Sequence, residues 1–166
     1  MATVSVSSTQ ITNRDASPRV LNNARIVKGA MQMTCGTLEA SAANDIGSKY
    51  KLCQVPSNAR IAQVLLSCDD LGTAGAADIG IYKTTADGGA VVDADHFAAA
   101  QALTSALKNS DVTFSSGVYG IEDVEKPLWE ALGLTTDPRI DYDIVATVTT
   151  AVESAGTVSL QVTYVV

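Results

Sequence analysis

Ile140, Tyr142, Ile144, Ala146 and Val148 recur at a strict period of two, separated by Asp141, Asp143, Val145 and Thr147. After Glu153-Ser154-Ala155-Gly156 the series resumes as Val158, Leu160, Val162, Tyr164 and Val166. A helix cannot gather such a set on one side, because its faces repeat about every 3.6 residues. Alternate residues of a strand, by contrast, share one face of a sheet. The C-terminal segment therefore predicts two long strands, each with one apolar face, and the turn between them reads as an antiparallel hairpin.

Upstream, the same texture repeats in shorter runs. Met31, Met33 and Cys35 alternate with Gln32 and Thr34 as on a half-buried strand. Asn44-Asp45-Ile46-Gly47 reads as a turn before a strand over Tyr50–Val55, and Pro56-Ser57-Asn58 breaks that run, since proline cannot donate to a ladder. A strong strand covers Ile61–Cys68, with Ala62, Val64, Leu66 and Cys68 on one face and Leu65 on the other. Asp69 to Ala77 is a loop of small and acidic residues, and a strand resumes over Asp78–Lys83. Asp87-Gly88-Gly89 supplies the positive-φ positions of a hairpin turn, and Val91-Val92 follow. Two short helices fit the remainder. One runs from His96 to Leu103, capped by Asp93 or Asp95 and rich in alanine. The other begins at Pro127, packs Leu128, Trp129 and Leu132 inward and ends at Gly133. Seven or eight short strands with small helical inserts predict an all-β, jelly-roll-like antiparallel sandwich over residues 29–166.

Residues 1–28 differ. They are rich in Ser, Thr, Asn and Arg, have little periodicity, and read as an extended N-terminal arm ordered only where something holds it. Residues 1–29 hold Arg14, Arg19, Arg25 and Lys28 against Asp15 alone, a net +3. The rest of the chain holds seven bases against seventeen acids, a net −10. The arm is either a solvated tail or a segment that docks on an acidic surface. An overall charge of −7 argues against wrapping nucleic acid, which needs clustered Lys and Arg. No window reaches the roughly 18 apolar residues of a membrane span, and the N-terminus lacks the pattern of a secretion signal. No nucleic-acid or membrane partner is therefore expected.

Residues capable of chemistry are few and scattered. Cys35, Cys53 and Cys68 fit neither a CxxC pattern nor a closed disulfide framework, so reduced thiols made in a cytosol are the simplest reading. Asp93, Asp95 and the single histidine, His96, suit either a helix N-terminus or a divalent cation, and the helix cap is the better account. Asp69-Asp70 and Asp141/Asp143 have the form of the paired carboxylates of glycoside hydrolysis, yet solvated face residues, or edge charges that discourage unwanted pairing, are the better account. Trp129 and Tyr119 have the chemistry to stack on a sugar, although a Trp between leucines belongs to a core. The chain lacks a GxSxG elbow, a P-loop and a dinucleotide fingerprint. The expectation is a protein that is not an enzyme, with no catalytic residues, cofactor or metal. A carbohydrate-binding tail or fibre module that contacts the host is the alternative; it requires exposed aromatics at a loop end, for which Tyr50, Tyr82 and Tyr119 are the candidates.

Several stretches together resemble a family of tailed-bacteriophage virion structural proteins. They are Ser8-Thr9-Gln10-Ile11-Thr12-Asn13-Arg14-Asp15 with Ser17-Pro18-Arg19-Val20-Leu21-Asn22, and Val55-Pro56-Ser57-Asn58-Ala59-Arg60 followed by Val64-Leu65-Leu66-Ser67-Cys68-Asp69. To these add Asp78-Ile79-Gly80-Ile81-Tyr82, Asp87-Gly88-Gly89-Ala90-Val91-Val92-Asp93-Ala94-Asp95 with Phe97, and Gly117-Val118-Tyr119-Gly120 through Lys126-Pro127-Leu128-Trp129. The resemblance implies a head decoration (cement) protein on the capsid surface, made in the host cytoplasm, that stabilises the head by binding the major capsid protein and neighbouring copies of itself, as a dimer or trimer. Its motifs are structural and mark no active site. On this reading Arg14, Arg19, Arg25 and Lys28 pair with acidic groups on the shell, and Val20, Leu21 and Ile26 anchor between them.

Overall fold

A computed structural model describes residues 4–166. The chain divides into two compact units, residues 1–30 and 31–166. The larger contains eight strands, β1 (Met31–Ala40), β2 (Lys49–Pro56), β3 (Arg60–Cys68), β4 (Ala76–Lys83), β5 (Val91–Ala102), β6 (Leu107–Asp111), β7 (Asp141–Thr150) and β8 (Gly156–Val165). They form two four-stranded antiparallel sheets, ordered β1-β8-β3-β6 and β2-β7-β4-β5. This interleaving, in which the chain crosses between sheets at nearly every connection, is the jelly-roll order, and the all-β sandwich matches the periodicity of the sequence.

Only β4 and β5 are sequential neighbours in one sheet. Their connection is the expected Asp87-Gly88-Gly89 turn, with φ of 92° at Gly88 and 63° at Gly89. The C-terminal hairpin is corrected. β7 pairs with β2 and β4, whereas β8 pairs with β1 and β3 in the opposite sheet. Residues 151–155 arch over the end of the sandwich with Val152 buried beneath. Tyr142, Ile144, Ala146 and Val148 therefore line the core from one sheet, and Val158, Leu160 and Val162 from the other. Period two reports a buried face and is silent on which strand lies alongside.

In β3 the buried set is Ile61, Val64, Leu66 and Cys68, because the register with β8 shifts between Ile61 and Gln63 and leaves Ala62 exposed as a bulge. Of the helix expected from His96 to Leu103, residues 96–102 are instead part of β5. Alanine's helix propensity is worth only tenths of a kcal/mol per residue over ordinary competitors. Pairing with β4 and burial of Phe97 and Ala98, both fully inaccessible, outweigh it. β5 also loops out over Gly80, where Ile79 pairs with Ala98 but Ile81 with Asp93. A Cβ on Gly80 would fall onto the carbonyl of Ala94. The second helix is present as α1 (Leu128–Ala131), with Pro127 at its cap, Leu128 buried and Gly133 at φ 75°.

β1 alternates as expected but with the opposite face inward. Met31 is 69% and Met33 58% exposed, and Cys35 is exposed too, while Ala40 is buried.

Candidate functional site

The smaller unit holds two short helices, αA (Thr9–Asp15) and αB (Ala24–Lys28), so the arm is not extended throughout. Ser8 caps αA by accepting from the Ile11 N–H, and Asn23 caps αB by accepting from the Arg25 N–H. Asn22 folds the intervening segment back: its side-chain oxygen accepts from Asn13 Nδ2 at 2.9 Å, and its Nδ2 donates to the Gln10 carbonyl at 2.9 Å. The Val20 N–H donates to the Asn13 carbonyl at 3.2 Å. Polar bonds thus hold this unit, and neither helix has a buried residue.

That arrangement gathers part of the predicted set. Arg19, Val20, Leu21 and Lys28, with Asn22, Ala24 and Val27, line a groove of about 220 Å³ that mixes apolar and basic side chains. Leu21 is 88% exposed. Three predicted residues do not line it. Arg14 makes a two-pronged bond to Asp15, at 2.7 and 3.0 Å, which lowers the Asp15 carboxyl and raises the guanidinium; both are exposed, and the pair contributes little to stability. Arg25 is exposed and Ile26 half-buried on αB. Ala24 and Val27, which the sequence reading passed over, stand three residues apart, a helical spacing visible only once αB is recognised. Val4 and Val6 are also exposed.

In the larger unit, the histidine and the acidic residues that the sequence singles out are engaged in local contacts. His96 is buried in β5 with its Nδ1 2.8 Å from Asp93 Oδ2, and its Nε2 has no hydrogen-bond partner. Asp69 accepts from the Thr157 N–H at 2.8 Å, and Asp70 from the Gly72 N–H at 2.9 Å. On the outer face of β7, Asp141 accepts from Gln54 and Asp143 pairs with Lys51 at 3.2 Å. Burial pushes the Asp123 carboxyl up, but bonds from Lys126 Nζ at 2.7 Å and the Gly120 N–H at 3.0 Å prevail and hold it below the usual carboxylate range. Among the described residues no three His, Cys, Asp or Glu side chains are placed to hold a metal ion. Burial pushes the Cys53 thiol up to about 11 and raises Cys68.

The aromatics needed for stacking on a sugar are buried. Tyr50 is 5%, Tyr82 3% and Tyr119 1% exposed. Tyr119 packs on Phe97 and donates its hydroxyl to the Ile61 carbonyl at 2.9 Å, and Tyr82 lies under Lys49 Nζ, 5.0 Å from the ring centre. Trp129 is half-buried beside the buried Leu128. Among the described residues no helix is long and apolar enough to cross a membrane.

No protein-family model matches the chain, and no curated protein matches it. Among solved structures it is similar to a chain of the "Cyanophage Pam1 capsid asymmetric unit", at 17% identity and a TM-score of 0.48, over 83% of this chain and 86% of that one. A likeness of that degree is one of outline and carries no function to this chain.

Proposed function

We propose that this chain is a structural protein of a tailed-bacteriophage virion, a head decoration protein that is not an enzyme and that binds the major capsid protein through its N-terminal unit. The observation that carries the reading is the character of residues 4–30: two capped helices with no buried residue, and a groove lined by exposed apolar side chains together with Arg19 and Lys28. A surface of this kind gains free energy by docking, because apolar side chains leave water and cations meet carboxylates. The sequence segments that resemble the phage virion family supply the identity of the partner, and the jelly-roll body supplies a scaffold for presenting the unit in many symmetric copies, where weak contacts add up.

Co-sedimentation of the purified protein with assembled heads that lack it tests this directly. Saturable binding at a fixed ratio to the major capsid protein, abolished by deleting residues 1–28 from a chain that still folds, is the expected result. Shell binding by the truncated chain would overturn docking through the N-terminal unit, and recovery of the protein in tail fractions would overturn the head location.

A further inference from the structure

We propose that β1 is a homotypic docking edge: the β1 strands of two copies pair antiparallel about a two-fold axis at Cys35, joining their β1-β8-β3-β6 sheets into one eight-stranded sheet. The four sheet edges differ in how open they are to pairing. An edge strand presents unpaired N–H and C=O groups, and proteins that remain single blunt such edges with lysines, prolines, bulges or short strands. Three of the four edges here are blunted. β2 carries Lys49 and Lys51, shifts register between Lys51 and Cys53, and ends in Pro56. β5 shifts register three times against β4 and passes through Ala100 at φ 47°. β6 is five residues long, carries Lys108, and turns at Asn109 with φ 51°.

β1 has none of these devices. It runs ten residues against β8 without a register shift, from Met31 opposite Val165 to Ala40 opposite Gly156. It contains no proline and no lysine or arginine, and its single charge is Glu39. Among the described residues no backbone hydrogen bond joins it to any strand but β8. Two of the chain's most exposed large apolar side chains, Met31 and Met33, lie on it.

The geometry selects the occupant and the register. Matching the outer faces of two copies requires odd-numbered residues to pair with odd. Ala40 is wholly buried, so the accessible stretch is Met31–Glu39, whose centre is Cys35. In that register Met33 faces Thr37 of the second copy and Met31 faces Glu39, so the single charge never meets its symmetry mate. Paired residues have Cα atoms about 4.5–5.5 Å apart, which lies within the span a disulfide bridges. One strand pair buries less than the roughly 1,000 Å² of a stable independent interface, so the dimer forms at high protein concentration or where a lattice brings copies together.

The test uses the full chain. Mild oxidation is expected to link copies through Cys35 at least about tenfold faster than through a Ser159→Cys, Cys35→Ser variant, whose thiol sits on β8 one strand in from the edge. Cys35→Lys sets two lysines directly opposite and is expected to weaken the dimer seen by sedimentation at least about threefold, whereas Cys35→Ser leaves it unchanged. Equal cross-linking rates, or the same sedimentation for Cys35→Lys and Cys35→Ser with unchanged circular dichroism, would overturn the pairing. The inference is independent of the virion reading, since a chain that dimerises through β1 yet ignores phage heads would retain one and lose the other.

Discussion

Replacing Tyr119 with phenylalanine removes a single oxygen from a fully buried polar contact of the body. The Tyr119 ring is 1% exposed, with ring centres 5.3 Å from Phe97 and 5.7 Å from Phe114, the latter stacked. Its hydroxyl donates to the Ile61 carbonyl at 2.9 Å, immediately before the bulge at Ala62. Phenylalanine keeps the ring contacts and strands that carbonyl in an apolar setting. A lost buried hydrogen bond of this kind costs about 1–2 kcal/mol, which for a body of this size lowers the midpoint of thermal unfolding by about 3–8 °C. Tyr119→Ala adds a cavity and costs about 3–5 kcal/mol. Burial first, and then the nearby Asp123 charge, raise the Tyr119 hydroxyl well above its ordinary pKa, so it stays a donor through neutral and moderately alkaline conditions. The difference in urea midpoint between wild type and Tyr119→Phe should therefore be the same at pH 6 and pH 9. A Tyr119→Phe protein within about 0.3 kcal/mol of wild type would refute the reasoning, because the carbonyl would not have depended on the hydroxyl.

Three other expectations follow from particular contacts. The Asp123 carboxyl is held below its ordinary value of 3.8, so the stability it contributes is complete above that pH and is lost as pH falls through the lower folded value; Asp123→Asn should flatten the acid limb of a urea-midpoint profile below about pH 4 and leave a lower plateau at neutral pH. A Cβ on Gly80 would land on the Ala94 carbonyl and one on Gly36 on the Leu52 carbonyl, so Gly80→Ala and Gly36→Ala should each cost at least about 3 kcal/mol by chemical denaturation. Gly47→Ala, whose Cβ meets nothing but whose φ is 86°, should cost only about 1–2 kcal/mol. At pH 8 a thiol reagent should label exposed Cys35 quickly, while buried Cys53 and Cys68 wait for unfolding; rapid reaction of all three would contradict their burial.

Strand positions were legible because burial on one face leaves a period of two, as in Tyr142–Val148 and Val158–Val162. Strand partners were not, because a hairpin and an inter-sheet arch impose the same alternation. β5 misled for a different reason: Asp-Ala-Asp-His followed by alanines satisfies the local rules of a capped helix, and what overrides them is Gly80, a distant residue small enough to let the β5 backbone lie over it. The faces of β1 were inverted because methionine spacing shows which residues share a side and does not show which side is covered. In the arm, residue types were readable while their grouping was not. Two asparagines, Asn13 and Asn22, decide that grouping through side-chain bonds that no periodicity announces.

The energetics of the arm set how tightly a single N-terminal unit can dock. αA has seven residues and αB five, well below the length at which an isolated helix is stable in water. The polar bonds that shape the unit are exposed or only half-buried, and each is worth about 1 kcal/mol net. Docking therefore has to supply the rest of its order. Fully burying Val20, Leu21 and Val27 would contribute about 1.5–3 kcal/mol per side chain, against an ordering cost of about 1–2 kcal/mol for each backbone residue newly fixed. The balance for one arm is small. A few preformed turns reduce the cost enough for a single contact to be weak and reversible, and repetition across symmetric copies makes the sum strong. On this account, substitutions that loosen the unit without touching its docking groups should weaken attachment almost as much as removing an anchor. Asn13→Ala, which deletes the side-chain bond to Asn22 and leaves every groove-lining residue in place, should lower head binding at least about threefold. Unchanged binding by that variant would mean that the arm docks as an unstructured strand and that the groove plays no part.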